Sequence, residues 1–409
     1  MRSIMQQVPS THVRHPMWPI YLCVAVTALG IGIINPLIPH LLEQNGANEF
    51  IVGLSTSVMF ASLVLTGMPI GRTIDKFGIR LFLIVGLISY TVAMLAMPWT
   101  HSIPLFFMWR IFEGIGWSCV WTAAETYVSR VSSPAQRGHN TAVYGMSLAS
   151  GTAAGPIIGT AVYEWTKNPV HPFLVAVAAA IIATVIVVLV VPEPHVHHTE
   201  QESGGVSFKI TRPLILPLAI AFLYGYGTLS LVSLLPTLNY SNWELGTLIS
   251  VTVIANIVAQ VPIGRMLDRY GYRPLLIGSL SLLSAAALFS TLHPPFLLTL
   301  FLGMLLGAFA GTLYPIGLAV LAARVPPAKL GGASGMFTVC YGLGSFVGPA
   351  LTGGVMSMVG AKHSDQALFG TIGCLVLALL GLMMTGIDRV NVKEEHPVSV
   401  ASSGIKPPM

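Results

Sequence analysis

Charged side chains are scarce in this sequence. Only 9% of its 409 residues are Asp, Glu, Lys or Arg, whereas 54% are hydrophobic. Soluble globular proteins carry about 25% charged residues. This composition therefore excludes an ordinary water-soluble domain and predicts a protein whose solvent is lipid.

Cysteine is also scarce, and the side-chain sets that enzymes and metal sites need are missing. The four cysteines lie in apolar stretches, and none has metal-ligand spacing with another: Cys23, Cys119, Cys340 and Cys374. We expect reduced thiols, no disulfide framework and no metal site. No nucleophile–base set or phosphate-binding loop is present, and Gly114-Ile115-Gly116 lies inside an apolar stretch rather than after a strand. The sequence predicts neither an enzyme nor a bound cofactor.

Long apolar runs occupy most of the chain. About 20 apolar residues suffice for a helix to cross a bilayer. Twelve such runs can be placed: 17–41, 50–71, 81–98, 103–129, 139–162, 172–191, 213–235, 244–266, 274–291, 295–322, 332–359 and 366–387. Residues 193–211 are polar and contain Gly204-Gly205, which predicts a cytoplasmic linker between bundles 1–192 and 212–389. The polar tail, 390–409, is predicted to be disordered.

Basic residues are distributed unequally between the predicted loops. With the N-terminus in the cytoplasm, all but three of the 20 Lys and Arg residues fall on the cytoplasmic side; Lys167 and Lys362 fall outside and Arg110 lies within a span. Cytoplasmic loops carry an excess of Lys and Arg. The sequence therefore predicts a multi-pass protein of the cytoplasmic membrane with both termini inside. The net charge of +5 follows from this topology and does not indicate nucleic-acid binding.

The chain repeats itself at a displacement of 193 positions, for example 262 minus 69. Pro69-Ile70-Gly71-Arg72 returns as Pro262-Ile263-Gly264-Arg265, and Gly151-x-x-x-Gly155-Pro156 returns as Gly344-x-x-x-Gly348-Pro349. Two copies of a membrane half-protein are typical of transporters built from parallel repeats. We therefore predict an all-α membrane protein whose twelve helices form two pseudo-symmetric bundles of six.

Several short motifs resemble those of the major facilitator superfamily, and the resemblance covers nearly the whole chain. They are Gly71-x-x-x-Asp75-Lys76-x-Gly78-x-Arg80 between spans 2 and 3, its weaker copy from Gly264 to Arg273, Arg110-x-x-x-Gly114-x-Gly116 in span 4, and Gly151-x-x-x-Gly155-Pro156-x-x-Gly159 in span 5. The last pattern resembles the antiporter branch of the family. The resemblance implies a drug or metabolite:proton antiporter that works by alternating access.

The repeated loops are candidates for a gate. Asp75 can approach the positive N-terminal end of a helix in the other half, which the resemblance identifies as span 11. Asp268 would mirror it against span 5. Such contacts form only when the cytoplasmic side is closed, so they would bias one conformation. The alternative is a solvated basic loop. The predicted network comprises Gly71, Arg72, Asp75, Lys76, Gly78, Arg80, Glu125, Arg130, Arg137, Gly264, Asp268, Arg269, Gly271 and Arg273.

We include Glu125 in this network because we expect it to pair with a nearby arginine. Arg130 and Arg137 follow it in the chain, and Arg72 and Arg80 belong to the first loop. The alternative is a solvated carboxylate near the end of its helix.

Arg110 and Glu113 are ionisable residues inside a membrane span, where charge is expensive and marks function by default. They are three positions apart and can reach each other. In one interpretation Glu113 takes up and releases a proton while Arg110 modulates its affinity. In another the pair is a fixed salt bridge that lets Arg110 hold backbone carbonyls or an anionic substrate; pure packing is the third. The family motif more often has glutamine at the position of Glu113.

Small residues in spans 5 and 11 predict close helix packing near the seam between halves. The set is Gly151, Gly155, Pro156, Gly159, Gly344, Gly348 and Pro349. In the family the span-5 pattern favours export over uptake; generic small-residue packing is the alternative.

A substrate cavity is expected at mid-membrane between the halves. Polar or aromatic residues in mid-span are candidates to line it, although each could instead fill space or bridge helices: Asn35, Trp117, Tyr224, Tyr226, Asn256, Gln260 and Tyr314. Asn35-Pro36-x-x-Pro39 should also break the first span. Such a cavity suits an amphipathic organic molecule better than a sugar.

The sequence as a whole predicts a proton-coupled exporter of a small organic molecule that functions as a monomer in the bilayer. The proton gradient would supply the energy. An uptake symporter or a facilitator is the alternative within transport, and a non-transporting membrane receptor is a remote one, since a receptor needs no paired gates.

Overall fold

The computed structural model describes residues 16–132, 137–192, 212–325 and 330–384. All regular structure in these ranges is helical. The α-helices are α1 (Trp18–Ile34), α2 (Ile38–Gln44), α3 (Glu49–Phe77), α4 (Ile79–Ala96), α5 (Ile103–Val131), α6 (Arg137–Thr166), α7 (Val170–Val190), α8 (Arg212–Leu234), α9 (Asn242–Tyr270), α10 (Tyr272–Ser290), α11 (Phe296–Arg324), α12 (Leu330–Val359) and α13 (Ser364–Met384). Short 3₁₀ turns lie at Met97–Trp99, Leu235–Thr237 and Ala361–His363.

The first membrane span is broken, as predicted. Helix α1 ends at Ile34 and α2 begins at Ile38, with Pro36 in the turn between them. Proline has no N–H for the helical ladder and its ring crowds the preceding turn. Together α1 and α2 form span 1, so α3 to α13 correspond to spans 2 to 12.

Twelve helical spans are present in the described ranges. Ten of them are long and apolar enough to cross a membrane by length and composition. The other two, α5 and α6, are 29 and 30 residues long. Helix α5 carries Arg110, Glu113 and Glu125, and α6 is rich in small and hydroxyl residues. Both pack inside the bundle against apolar neighbours, so the predicted twelve-span fold is confirmed.

The helices form two similar bundles. In the first, α1 packs against α6 and α7, and α5 packs against α3 and α4. In the second, α8 packs against α12, and α11 packs against α9 and α10. The pair of α1 with α6 thus recurs as α8 with α12, as the sequence repeat requires. The bundles meet where α3 touches α12 and where α6 touches α9.

Successive spans alternate in direction, which places the connections at two ends of the molecule. We call the end with the turns at Gly78 and Gly271 the basic face, and the end with the turns at Gly46 and Gly360 the opposite face. Gly78 has φ 91° and Gly271 has φ 76°, values that favour glycine and explain both glycines of the repeated loop. Among the described residues the basic face holds Arg72, Lys76, Arg80, Arg130, Arg212, Arg269, Arg273 and Arg324.

Candidate functional site

Two glycine–proline contacts join the halves near the opposite face. A Cβ atom on Gly53 of α3 would lie 2.6 Å from the carbonyl carbon of Pro349 in α12. A Cβ on Gly246 of α9 would lie 3.1 Å from the carbonyl oxygen of Pro156 in α6. Positions 246 and 349 are 53 and 156 displaced by 193. The seam is therefore built twice from equivalent positions, each with room for hydrogen only.

Hydrogen bonds beside these contacts follow the same repeat. The Ser357 hydroxyl lies 3.2 Å from Oε2 of Glu49 and accepts a hydrogen bond of 2.9 Å from the N–H of Phe50. On the other side, Nδ2 of Asn242 donates to Oε1 of Glu164 over 2.6 Å. Positions 242 and 357 are 49 and 164 displaced by 193. We call these two hydrogen-bonded pairs, Glu49–Ser357 and Asn242–Glu164, the clasps.

The clasps and the glycine–proline contacts hold the opposite face closed. Close contact between α3 and α12 continues inward to Val64 and Gly342, near the middle of both helices. Nearer the basic face, Glu125 of α5 is solvent-exposed although it lies close enough to the hydroxyl of Tyr314, in the other half, to act on it electrostatically. The space between the halves is therefore open towards the basic face.

Arg110 and Glu113 form an ion pair inside the first half rather than in this space. Nη1 of Arg110 lies 2.5 Å from Oε2 of Glu113, and the two residues are 2% and 0% exposed. Nε of Arg110 also donates to the carbonyl oxygen of Ser55 over 3.4 Å. The second carboxylate oxygen, Oε1, is buried without a hydrogen-bond partner in the described structure, as is the hydroxyl of Tyr90.

Burying Arg110 and Glu113 costs hydration free energy, and their pairing offsets this cost only in part. Each buried ion loses several kcal/mol of hydration, which the partner charge and further hydrogen bonds must repay. Arg110 satisfies one oxygen of Glu113 and holds the Ser55 carbonyl, whereas the other oxygen remains unsatisfied. In this conformation the pair is thus a fixed salt bridge with one site free to receive a proton or a donor.

The described partner of Glu125 is not one of the arginines that we expected; the side chain of Arg137 lies outside the described residues. Its Oε1 accepts a hydrogen bond of 2.6 Å from Nε1 of Trp121, one helical turn earlier. No ion pair involves its side chain in the portion of the chain that the structure describes. Residues 121 and 125 share a helix face, whereas Arg130 projects about 140° away from Glu125 at 100° per residue. That face points to the space between the halves.

Aromatic rings in the second half line the facing wall. The ring centroid of Tyr224 lies 5.6 Å from that of Tyr341, in a stacked arrangement, and 5.6 Å from that of Tyr314. Tyr314 also contacts Phe337 edge-on at 5.4 Å. We call Tyr224, Tyr314 and Tyr341 the aromatic wall; Phe337 is fully buried and packs behind it.

Two amides support the aromatic wall. The Tyr224 side chain lies beside Asn256, whose Oδ1 accepts a hydrogen bond of 3.0 Å from Nε2 of Gln260. The structure thus brings together four predicted cavity residues: Tyr224, Asn256, Gln260 and Tyr314. Sequence reasoning missed Trp121 and Tyr341. Residues 121 and 125 are four apart and share one helix face, so their spacing could have identified Trp121.

Three other cavity candidates lie elsewhere. Tyr226 is buried inside the second half, where its hydroxyl is 2.7 Å from that of Thr352. Two positions turn a helix by about 200°, so Tyr224 and Tyr226 cannot both face the cavity; including Tyr226 was wrong. Trp117 is buried behind Trp121, with ring centroids 5.6 Å apart. Asn35 is half-buried at the break between α1 and α2, away from the aromatic wall.

The structure describes only some of the side chains of the predicted gate. Arg80 donates to the carbonyl of Val188 in its own half. Lys76 lies 5.3 Å from the ring centroid of Phe77, and Arg269 lies 5.2 Å from that of Tyr270, at equivalent positions of the repeat. The position of Gly264 and the side chains of Asp75, Arg137 and Asp268 lie outside the described residues. The latch between halves therefore stays a prediction.

The glycines of the antiporter-type motif pack inside each half. A Cβ on Gly32 of α1 would lie 2.9 Å from the Cα of Gly155, and Gly151 and Gly159 also face α1. Gly344 and Gly348 face α8 in the same way. The prolines beside them, Pro156 and Pro349, lie at the seam. One small-residue stretch thus serves two contacts, one within a half and one between halves.

Comparison with known proteins agrees with this architecture. The model of the Major Facilitator Superfamily matches residues 20–251 and 217–407. The uncharacterized MFS-type transporter YfkF of Bacillus subtilis (strain 168) is 25% identical over 375 residues, which cover 88% of this chain and 93% of that protein. The uncharacterized MFS-type transporter YE1530 of Yersinia enterocolitica is 25% identical over 379 residues, covering 88% and 93%.

Solved structures show the same fold at low sequence identity. The nucleoside transporter NupG (D323A mutant) superposes with a TM-score of 0.74 at 14% identity, covering 90% of this chain and 99% of that one. A bacterial homolog of the human lysosomal transporter Spinster, in an inward-facing and unoccupied conformation, gives 0.73 at 14% identity over 91% and 96%. With the family model matched along nearly its whole length, this chain belongs to the major facilitator superfamily of membrane transporters.

Proposed function

We propose that this transporter exports a small amphipathic organic molecule across the cytoplasmic membrane in exchange for protons. The observation that supports it most is the buried pair of Arg110 with Glu113, whose Oε1 has no partner. Protonation of Glu113 removes one buried charge and releases Arg110. Loss of that proton restores the pair. The packing of α5 against α3, which the pair joins through Ser55, thereby becomes sensitive to protonation.

The energy available is adequate for export. One charge moving down 100 mV supplies about 2.3 kcal/mol. Each 1.4 kcal/mol corresponds to a tenfold ratio, so one proton sustains a gradient of roughly 50-fold. No bound cofactor is needed for this work.

The orientation of the two faces supports export as the direction of transport. By the excess of Lys and Arg, the basic face is cytoplasmic, with both termini on that side. The cavity of this conformation then receives its substrate from the cytoplasm and would release it outside once the clasps open. The resemblance of the α6 motif to the antiporter branch supports the same direction. Uptake by a symporter or a facilitator is the competing function.

The first experiment compares the small molecules in medium and cytosol of cells that carry the protein, the Glu113→Gln variant or an empty vector. We expect one compound to accumulate in the medium with the intact protein alone. Accumulation of a compound inside the cells would reverse the direction and favour a symporter. Equal distributions in all three cultures would count against active transport.

The second experiment tests the coupling residue in proteoliposomes with that compound. Glu113→Gln should abolish uphill transport driven by a pH gradient while counterflow exchange of substrate continues. Because this change leaves Arg110 buried and unpaired, the double variant Arg110→Gln with Glu113→Gln serves as the matched neutral pair. Exchange lost in both variants would assign the pair a structural role. Uphill transport retained in either would remove Glu113 from coupling.

A further inference from the structure

Glu125 is a carboxylate that has no cationic partner among the described side chains. It is solvent-exposed in the space between the halves, and its side-chain hydrogen bond comes from Trp121, a neutral donor. Arg110, in the same helix, is paired with Glu113, donates to the carbonyl of Ser55 and is buried away from the space. Within the described ranges, no Lys, Arg or His side chain forms an ion pair with Glu125. The negative charge that faces the cavity is therefore uncompensated by these ranges of the chain.

Aromatic rings surround the approach to this charge. Trp121 donates a hydrogen bond to it, and the hydroxyl of Tyr314, in the other half, lies within electrostatic range of it. Tyr314 belongs to the aromatic wall, so the carboxylate on α5 faces rings from α8, α11 and α12. Ring faces carry the negative end of the aromatic quadrupole. The whole site thus presents negative potential and apolar surface at once.

Negative potential and apolar surface together exclude several classes of ligand. An anion would be repelled by Glu125 and by the ring faces. A sugar would find two amides, Asn256 and Gln260, that already form a hydrogen bond with each other. A hard metal ion needs six or more oxygen ligands, and a single exposed carboxylate beside a tryptophan does not supply them. An organic cation gains from every feature, because the carboxylate and each ring face attract a partly desolvated cation.

Resting on the exporter function proposed above, we propose that the transported molecule is an organic cation, held between Glu125 with Trp121 on the first half and the aromatic wall on the second. A ligand in this position touches both halves. Its contacts strengthen as the basic face closes around it, so binding itself favours the conformational change that carries it across.

The test is binding by the purified full-length protein in detergent, which does not depend on the direction of transport. Tetraphenylphosphonium and tetraphenylborate have the same shape and opposite charge, so their comparison isolates charge. We expect the cation to bind at least about tenfold more tightly, a difference of 1.4 kcal/mol. Glu125→Gln should weaken cation binding by a similar factor. Glu43→Gln, an exposed acid on α2 outside the cavity, should leave it unchanged.

Ring chemistry is tested separately. Tyr314→Phe keeps the ring face and should retain cation binding, whereas Tyr314→Leu keeps bulk and should weaken it severalfold. Thermal unfolding of each variant shows whether it is folded. Equal binding of both ions, or full cation binding by folded Glu125→Gln, would overturn the assignment. If the intact protein binds no cation yet moves a neutral compound uphill, the substrate class is wrong while the exporter function stands.

Discussion

Replacing Gly53 with alanine should shift the transporter away from the conformation described here. The added Cβ would lie 2.6 Å from the carbonyl carbon of Pro349, whereas ordinary contacts are 3.4–4 Å. The partner atom is backbone, so it cannot rotate away. Overpacking of this kind costs about 1–3 kcal/mol, which corresponds to roughly a 5- to 150-fold change in an equilibrium constant.

The cost is confined to one state. Gly53 and Pro349 belong to different halves, and they touch because the opposite face is closed. When the halves rock to open that face, the contact is released. Gly53→Ala therefore destabilises the state with the basic face open relative to the state with it closed. Gly246→Ala, at the equivalent position, should act in the same direction.

Pulsed electron paramagnetic resonance measures this shift. Spin labels at Phe77→Cys and Tyr270→Cys, both exposed at the basic-face ends of α3 and α9, report the distance between halves. Cys340 and Cys374 are first replaced by serine, since they are less buried than the other two cysteines. We expect Gly53→Ala to increase the population at short distances.

Two controls separate the conformational effect from damage to the fold. Gly370→Ala in α13 adds the same methyl where no neighbour lies within 4 Å, and should change nothing. Gly155→Ala clashes with Gly32 inside one half, and should lower thermal stability without favouring the short distance. An unchanged distance distribution in folded Gly53→Ala, or the same shift in Gly155→Ala, would refute the reasoning.

Two further predictions concern charged residues. Arg110→Ala leaves Glu113 buried and unpaired, which costs about 3–5 kcal/mol; the melting temperature should fall, and Arg110→Ala with Glu113→Ala should recover part of the loss, whereas no recovery would show that the pair is not energetically coupled. Asp75→Asn should increase cysteine labelling from the basic face if Asp75 is a latch. Unchanged labelling would show that Asp75, near the end of α3, does not act as a latch.

Much of the fold could be predicted because lipid imposes simple constraints. Apolar length fixes the spans, and an exact displacement of 193 positions fixes their division into two halves. The break after Ile34 was predicted from the closely spaced Pro36 and Pro39. The contact between Arg110 and Glu113 could also be predicted from the sequence, because residues three apart on a helix are neighbours. In each case a local rule suffices.

The cavity was harder because it depends on which way each helix faces. Tyr224 and Tyr226 have similar sequence surroundings, yet one joins the aromatic wall and the other is buried against Thr352. Glu125 has arginines nearby in sequence but bonds to Trp121. Helices in this protein are apolar on nearly all sides, so hydrophobic periodicity does not reveal their orientation. Contacts between distant helices decide it.

The clasps show that the sequence repeat alone does not predict the contacts between the two halves. Glu49 in the first half and Asn242 in the second occupy equivalent positions of the repeat, and so do Glu164 and Ser357. If both copies kept the acid of each pair, Glu49 would face a second glutamate at 357, and Glu164 would face one at 242. Like charges in such contact repel. The copies instead differ so that each clasp contains one carboxylate and one neutral hydrogen-bonding partner. Divergence between the repeats is thus required by the contact they share, and it becomes interpretable only when the two halves are seen together.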